Sequence, residues 1–186
     1  MKNATRRLEA TAYHEAGHTI ALWRLEWRVA RYVTIEPDED FWGAMFDPNA
    51  MRGIVGLDIG DLPPRVQRRA ENLMVILLAG RAAQRRRNPR GVRLHHSESD
   101  HEKVCTILSY LCETSSDVFP AYYHLMDLRA RGLVQHFVNW RAIEILAQEL
   151  LLRCTLSGKA LREFIVSQCF ALPPGRGRCG QMRAGC

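Results

Sequence analysis

The sequence predicts a mostly α fold with a small β-sheet near the N-terminus, on three observations. Most of the chain shows apolar residues at three- and four-residue steps, the period of a helix with one buried face. The runs rich in β-branched and aromatic residues are short and fall between Val29 and Phe46. A hydrophobic share of 47% over 186 residues suffices for one buried core and fits one domain better than two.

In chain order, residues 5–25 read as a helix, with Leu8, Ala12, Ala16, Ile20 and Trp23 on its apolar face. Residues 29–35 read as a strand closed by Pro37, and residues 41–46 as a second strand bounded by Asp40 and Asp47. A glycine- and proline-containing loop follows over 49–64. Pro64 then suits the first turn of a long helix over 64–87, whose apolar face includes Val66, Ala70, Leu73, Leu77 and Gly80. The run Asn88-Pro89-Arg90-Gly91 stops it, and residues 94–98 read as a polar loop. Ser99 and Glu102 have the spacing of a capping box, so the next helix is expected to start at Ser99 and reach Cys112. Further helices are expected over 120–130, 133–153 and 157–167. The domain spans residues 1–172, and residues 173–186 form a basic, flexible tail.

The formal charge of +6 includes Arg176, Arg178 and Arg183 of that tail, which leaves the domain near +3. That is too mild to imply a nucleic-acid partner. Arg85, Arg86, Arg87 and Arg90 read as a solvated helix end whose cations suit the helix dipole. The longest strongly apolar run, residues 73–79, is too short for a membrane span, and no signal peptide is read ahead of His14. The expectation is a soluble, cytoplasmic protein with reduced cysteines, because Cys105, Cys112, Cys154, Cys169, Cys179 and Cys186 show no paired spacing. Cys105 and Cys112, seven apart on one helix face, read as small buried hydrophobes.

The chemistry concentrates in Tyr13-His14-Glu15-Ala16-Gly17-His18. Two histidines one helical turn apart project from one face and can meet a single ion. Zinc accepts neutral imidazole nitrogens, and a catalytic site keeps three protein ligands and one position for water. Glu15, beside the first histidine, is placed to take a proton from that water. Ala16 and Gly17 are small enough to let other groups pack closely behind the site. The metal reading demands a third ligand. Asp100, which opens a helix where cap geometry fixes its position and lies in the most ligand-rich segment, is the best candidate, with His95 and His96 as the alternatives. His101 points about 100° away from Asp100 around the helix, and Glu102 is engaged by the expected capping box.

His14-Glu15-Ala16-Gly17-His18, Val33-Thr34-Ile35, Ala79-Gly80-Arg81-Ala82-Ala83, and Ser99-Asp100 at a helix start together resemble the peptidase domain of FtsH-type ATP-dependent zinc metalloproteases. The stretch from Leu146 to Leu161 is similar to the closing helices of that domain, so the resemblance covers residues 6–165. It implies a helical zincin-type domain, Zn2+ held by His14, His18 and Asp100, and Glu15 as catalytic base. It also implies substrate binding by strand addition at Phe41-Trp42-Gly43-Ala44-Met45, with Trp42, Gly43 and Ala44 against the peptide.

The chain departs from the family in several places. No phosphate-binding GxxxxGK[ST] loop occurs, nor the membrane anchor of the family. Gln84 stands where an acidic residue usually follows, and His96-Ser97-Glu98 replaces a small pair before Ser99-Asp100. The expected function is a zinc metallopeptidase acting on peptides or unfolded protein segments. A homo-oligomer or a separate ATPase are its possible partners. The alternative is a non-catalytic, zinc-containing peptide-binding or regulatory protein.

Overall fold

The computed structural model describes residues 2–36, 44–46, 63–89, 95–112 and 117–170. Six helices carry the fold: α1 (Lys2–Glu26), α2 (Pro64–Arg87), α3 (His95–Ser109), α4 (Val118–Gln135), α5 (Phe137–Arg153) and α6 (Gly158–Phe164). The last runs on into a π-helical turn, Ile165–Cys169. Three short strands, β1 (Tyr32–Thr34), β2 (Ala44–Phe46) and β3 (Thr155–Ser157), form an antiparallel sheet in the order β2-β1-β3. The mostly α class with a small sheet is therefore as expected.

Helix α1 is the spine of the fold. Every residue from Thr11 to Trp23 is buried, because α2, α5 and the sheet cover it from different sides. Its apolar residues join Ile76, Ala79 and Ala83 of α2 and Ile143, Leu146, Ala147 and Leu150 of α5 in one cluster. A second cluster forms on the other side of α2, where Ala70, Leu73, Met74, Val75 and Leu78 meet Val104, Ile107 and Leu108 of α3 and Met126 and Ala130 of α4. Helix α2 thus belongs to both clusters, consistent with an apolar surface too wide for one stripe.

The α1–α2 contact is close because its residues are small. A Cβ on Gly17 would lie 2.7 Å from the Ala79 carbonyl oxygen and 2.8 Å from the Ala83 Cβ, so only glycine permits this approach. At the end of the pair, Arg87 bonds Glu9 through Nε and Nη2 at 2.9 and 2.7 Å and lies over the Tyr13 ring. Arg86 donates to the Val134 carbonyl at 2.8 Å and covers Trp140. The basic helix end is exposed, as expected, but two of its arginines also clamp α2 to α1, α4 and α5.

Several boundaries differ from the sequence reading. Helix α3 starts at His95, so the 94–98 loop is largely helical and Ser99 is inside the helix rather than its cap. The capping box is therefore not formed, and Glu102 is an exposed residue of the second turn. Helix α4 continues through Gly132 to Gln135, and the break comes at His136, which adopts an extended ψ of 127°. There Asn139 donates its side-chain amide to the Leu133 carbonyl at 2.9 Å, replacing a helical bond α4 loses by ending. The third strand, β3, occupies residues expected as loop and helix start. It pairs Leu156 with Val33, and Cys154 turns the chain into it with a left-handed φ of 61°. The loop expected over 49–64 falls mostly outside the described residues, as does the tail from residue 173.

Candidate metal centre

His14 and His18 lie on α1 one turn apart and point into the junction of α1, α2 and α3, where Asp100 of α3 meets them. The His14 Nε2 and His18 Nε2 atoms are 2.9 Å apart, and each lies close to Asp100 Oδ2, at 3.0 and 3.1 Å. Among the described residues these three form the one group of three or more His, Cys, Asp or Glu side chains close enough to share a metal ion. Both histidines are buried, and Asp100 retains a small exposed fraction.

Helix α2 shapes this triangle. Gly80 faces it: a Cβ there would lie 2.5 Å from both Cε1 and Nε2 of His18 and 3.0 Å from Cε1 of His14. One turn earlier, the Ile76 carbonyl accepts a hydrogen bond from His18 Nδ1 at 2.8 Å. That bond places a proton on Nδ1 and leaves the Nε2 lone pair of a neutral ring aimed at the centre, the outer-shell arrangement that metal-binding histidines use. Neither Gly80 nor this carbonyl was legible as a site component from the histidine motif alone. The signal available for Gly80 is a residue without a side chain on the apolar face of α2, against the two histidine rings.

The donor set fits a cation better than it fits hydrogen bonding alone. Each Nε2 carries at most one hydrogen, so two hydrogens are available for three close contacts, and one edge of the triangle must be unsatisfied. A cation at the centre satisfies all three atoms together. Ligand atoms bound to zinc at about 2.0–2.1 Å in tetrahedral geometry stand roughly 3.3 Å apart, a few tenths of an ångström beyond what is seen here. Two imidazoles and one carboxylate also suit other first-row divalent ions.

Without a cation, the charges in the cluster are strongly coupled. Burial disfavours the charged form of His18, but the Asp100 carboxylate, by charge and hydrogen bond, outweighs it and raises the imidazole to about 9. Burial likewise opposes ionisation of Asp100, yet both histidines hold its carboxyl far below the ordinary range. Glu15 is buried beside them, and desolvation pushes its carboxyl up to about 7 against the pull of His18. Its Oε2 has no hydrogen-bond partner among the described residues. A buried carboxyl with an idle oxygen, poised near neutrality, is a group prepared to exchange a proton.

Of the expected substrate residues, Trp42 and Gly43 lie outside the described residues, and Ala44 opens β2, paired with Thr34 of β1. Strand β2 is an edge of the sheet, since its one partner among the described residues is β1. His95 and His96 provide backbone to the first turn of α3, and their side chains are outside the description. His101 points away from the triangle toward α4, as the helical angle requires. Gln84 is buried in α2, and its Oε1 has no hydrogen-bond partner among the described residues. No protein-family model matches the chain, and no curated protein matches it significantly. The FtsH-type resemblance accordingly rests on the short motifs alone. No described helix is long and apolar enough to cross a membrane.

Proposed function

We propose that this chain is a zinc-dependent metallopeptidase, with His14, His18 and Asp100 as ligands and Glu15 as general base. The observation that carries the reading is the convergence of three ligand atoms within 3.1 Å of one another, with the buried, poorly solvated Glu15 carboxyl electrostatically coupled to them. A zinc ion held there supplies a water of lowered pKa and polarises a substrate carbonyl.

The side chains perform the remaining work. Glu15 accepts the proton of the attacking water and delivers it to the departing amine. The positive charge of a bound cation favours the ionised carboxylate, so Glu15 begins the cycle as a base despite its burial. His18 is locked by the Ile76 carbonyl, which preserves its orientation through the cycle. The edge of β2 that has no partner among the described residues would offer main-chain groups to an extended peptide, with Ala44 at the end nearest the expected Trp42-Gly43 contacts. Such binding reads backbone rather than sequence, and suits flexible peptides or segments already unfolded. A separate ATPase acting in trans, or a homo-oligomer, would extend the range of substrates.

Glu15→Gln is the test. The variant is expected to keep a full equivalent of zinc while cleavage of unfolded casein or a peptide library falls by about 10²–10⁴. Failure of the zinc-loaded native chain to cleave either substrate sinks the enzymatic reading. Peptide binding without cleavage in that experiment would favour the second reading, a zinc-containing peptide-binding or regulatory protein, to which the uncharged, buried Gln84 already leans.

A further inference from the structure

We propose a second metal site on the outer face of α3, formed by His101 and Cys105, for a thiophilic divalent ion such as zinc. The two residues are one helical turn apart, and Cys105 Sγ lies 3.6 Å from His101 Nε2. Sulfur and nitrogen bound to one tetrahedral zinc, at about 2.3 and 2.0–2.1 Å, stand roughly 3.6 Å apart. The pair is thus already at ligand separation.

The imidazole is held by its other nitrogen. His101 Nδ1 is 3.0 Å from the Tyr123 hydroxyl of α4, and the two rings meet edge to face at 5.3 Å. A phenol on the second ring nitrogen fixes orientation, the task an outer-shell partner performs for a metal-binding histidine. His101 is exposed and Cys105 half-buried, which leaves the remaining coordination positions open to water. No third His, Cys, Asp or Glu completes the pair among the described residues, so the site is weaker than the buried centre. The two sites are separate although Asp100 and His101 are neighbours, because the helix turns them about 100° apart.

A Cys-His pair also suits nucleophilic catalysis, but burial raises the Cys105 thiol above its ordinary value, which removes thiolate at neutral pH. Metal coordination displaces the thiol proton directly, so the same burial does not prevent binding.

The test is a cobalt(II) titration of the full chain already carrying one equivalent of zinc. The buried centre contains no sulfur, so a thiolate-to-cobalt absorption band reports on cysteine whether or not the peptidase reading holds. The band is expected with the added cobalt and is expected to vanish in Cys105→Ser and in the exposed-site variant His101→Gln. Tyr123→Phe should weaken cobalt binding about tenfold while the band keeps its position. No thiolate band in the native chain, or a band undiminished in Cys105→Ser or His101→Gln, overturns the proposal. If Cys105→Ser fails to fold, the His101→Gln result decides alone.

Discussion

On one side of the metal centre, His14 and His18 stand in a wall of close-packed helix. Gly17 and Gly80 admit no methyl group, and a backbone carbonyl orients one of the rings. On the other side, Asp100 projects from α3 with a partly exposed carboxyl. Its described partners are the two imidazoles and, at 3.9 Å, the half-exposed Lys103 ammonium. The histidines are fixed by shape, and the aspartate is fixed by charge. Packing interactions are nearly independent of pH and salt, whereas charge interactions depend on both. The two halves of one site should therefore fail under different perturbations.

The largest effect is expected from the packed side. Gly80→Ala places a methyl at 2.5 Å from the His18 ring, and the neighbouring helices leave nowhere for the ring to go. Overpacking of this kind costs about 1–3 kcal/mol, and the displaced ligand should lower metal affinity by a factor of ~100 or more. Metal content after dialysis against a weak chelator, with a melting curve alongside, measures both. Metal retention equal to the native protein would show that the histidine wall is softer than described.

Asp100→Asn comes next. It keeps the shape and removes the charge, so the fold should persist while metal affinity falls by roughly 10–100-fold, read by competition with a chromophoric chelator. An amide that binds metal as tightly as the carboxylate would refute the role of charge on this side.

The dependence on pH tests the charge coupling between the halves. In the metal-free protein His18 has its pKa raised to about 9, so its contribution is complete below the unfolded value near 6.5 and disappears as pH rises through 9. The raised pKa of Glu15 acts in the same direction, since the folded chain holds that proton up to about 7 and the unfolded chain releases it near 4.5. Metal-free stability should accordingly fall from pH 5 to 9, while metal affinity, which needs neutral imidazoles, rises over the same interval. Melting temperatures with and without zinc across that range should diverge. Parallel curves would contradict the assignment. The smallest effect is expected for Lys103→Ala, whose long, exposed contact to Asp100 is worth less than about 1 kcal/mol. Its metal affinity should change by less than about threefold.

The same division explains what the sequence disclosed. The helical period found α1 and α2, and the His14–His18 step placed two candidate ligands on one face. Asp100 was found as a residue, but the reason given for its position was mistaken. It stands within a helix that begins at His95, not beside a cap at Ser99. Ser99 and Glu102 satisfy the cap pattern locally, yet α3 extends its first turn to His95. Strand β3 was missed because nothing in Thr155-Leu156-Ser157 demands an extended chain. The demand comes from Val33 and from the Thr34 hydroxyl, which meets that of Thr155 at 2.6 Å. The expected break between residues 130 and 133 falls inside α4, which passes through Gly132 to Gln135. Nonlocal partners decide such positions, and a local period cannot contain them.

Helix α2 is shared by the two apolar clusters, and the proposed ligands come from helices on either side of it: His14 and His18 from α1, Asp100 from α3. An ion bound at their meeting point would therefore be a clasp between two halves of the core. Its binding energy is coupled to the whole fold by mass action, at about 4 kcal/mol when free metal exceeds the dissociation constant a thousandfold. On the proposed metal reading, loss of that ion would also weaken the fold, because α3 would lose its ionic tie to α1.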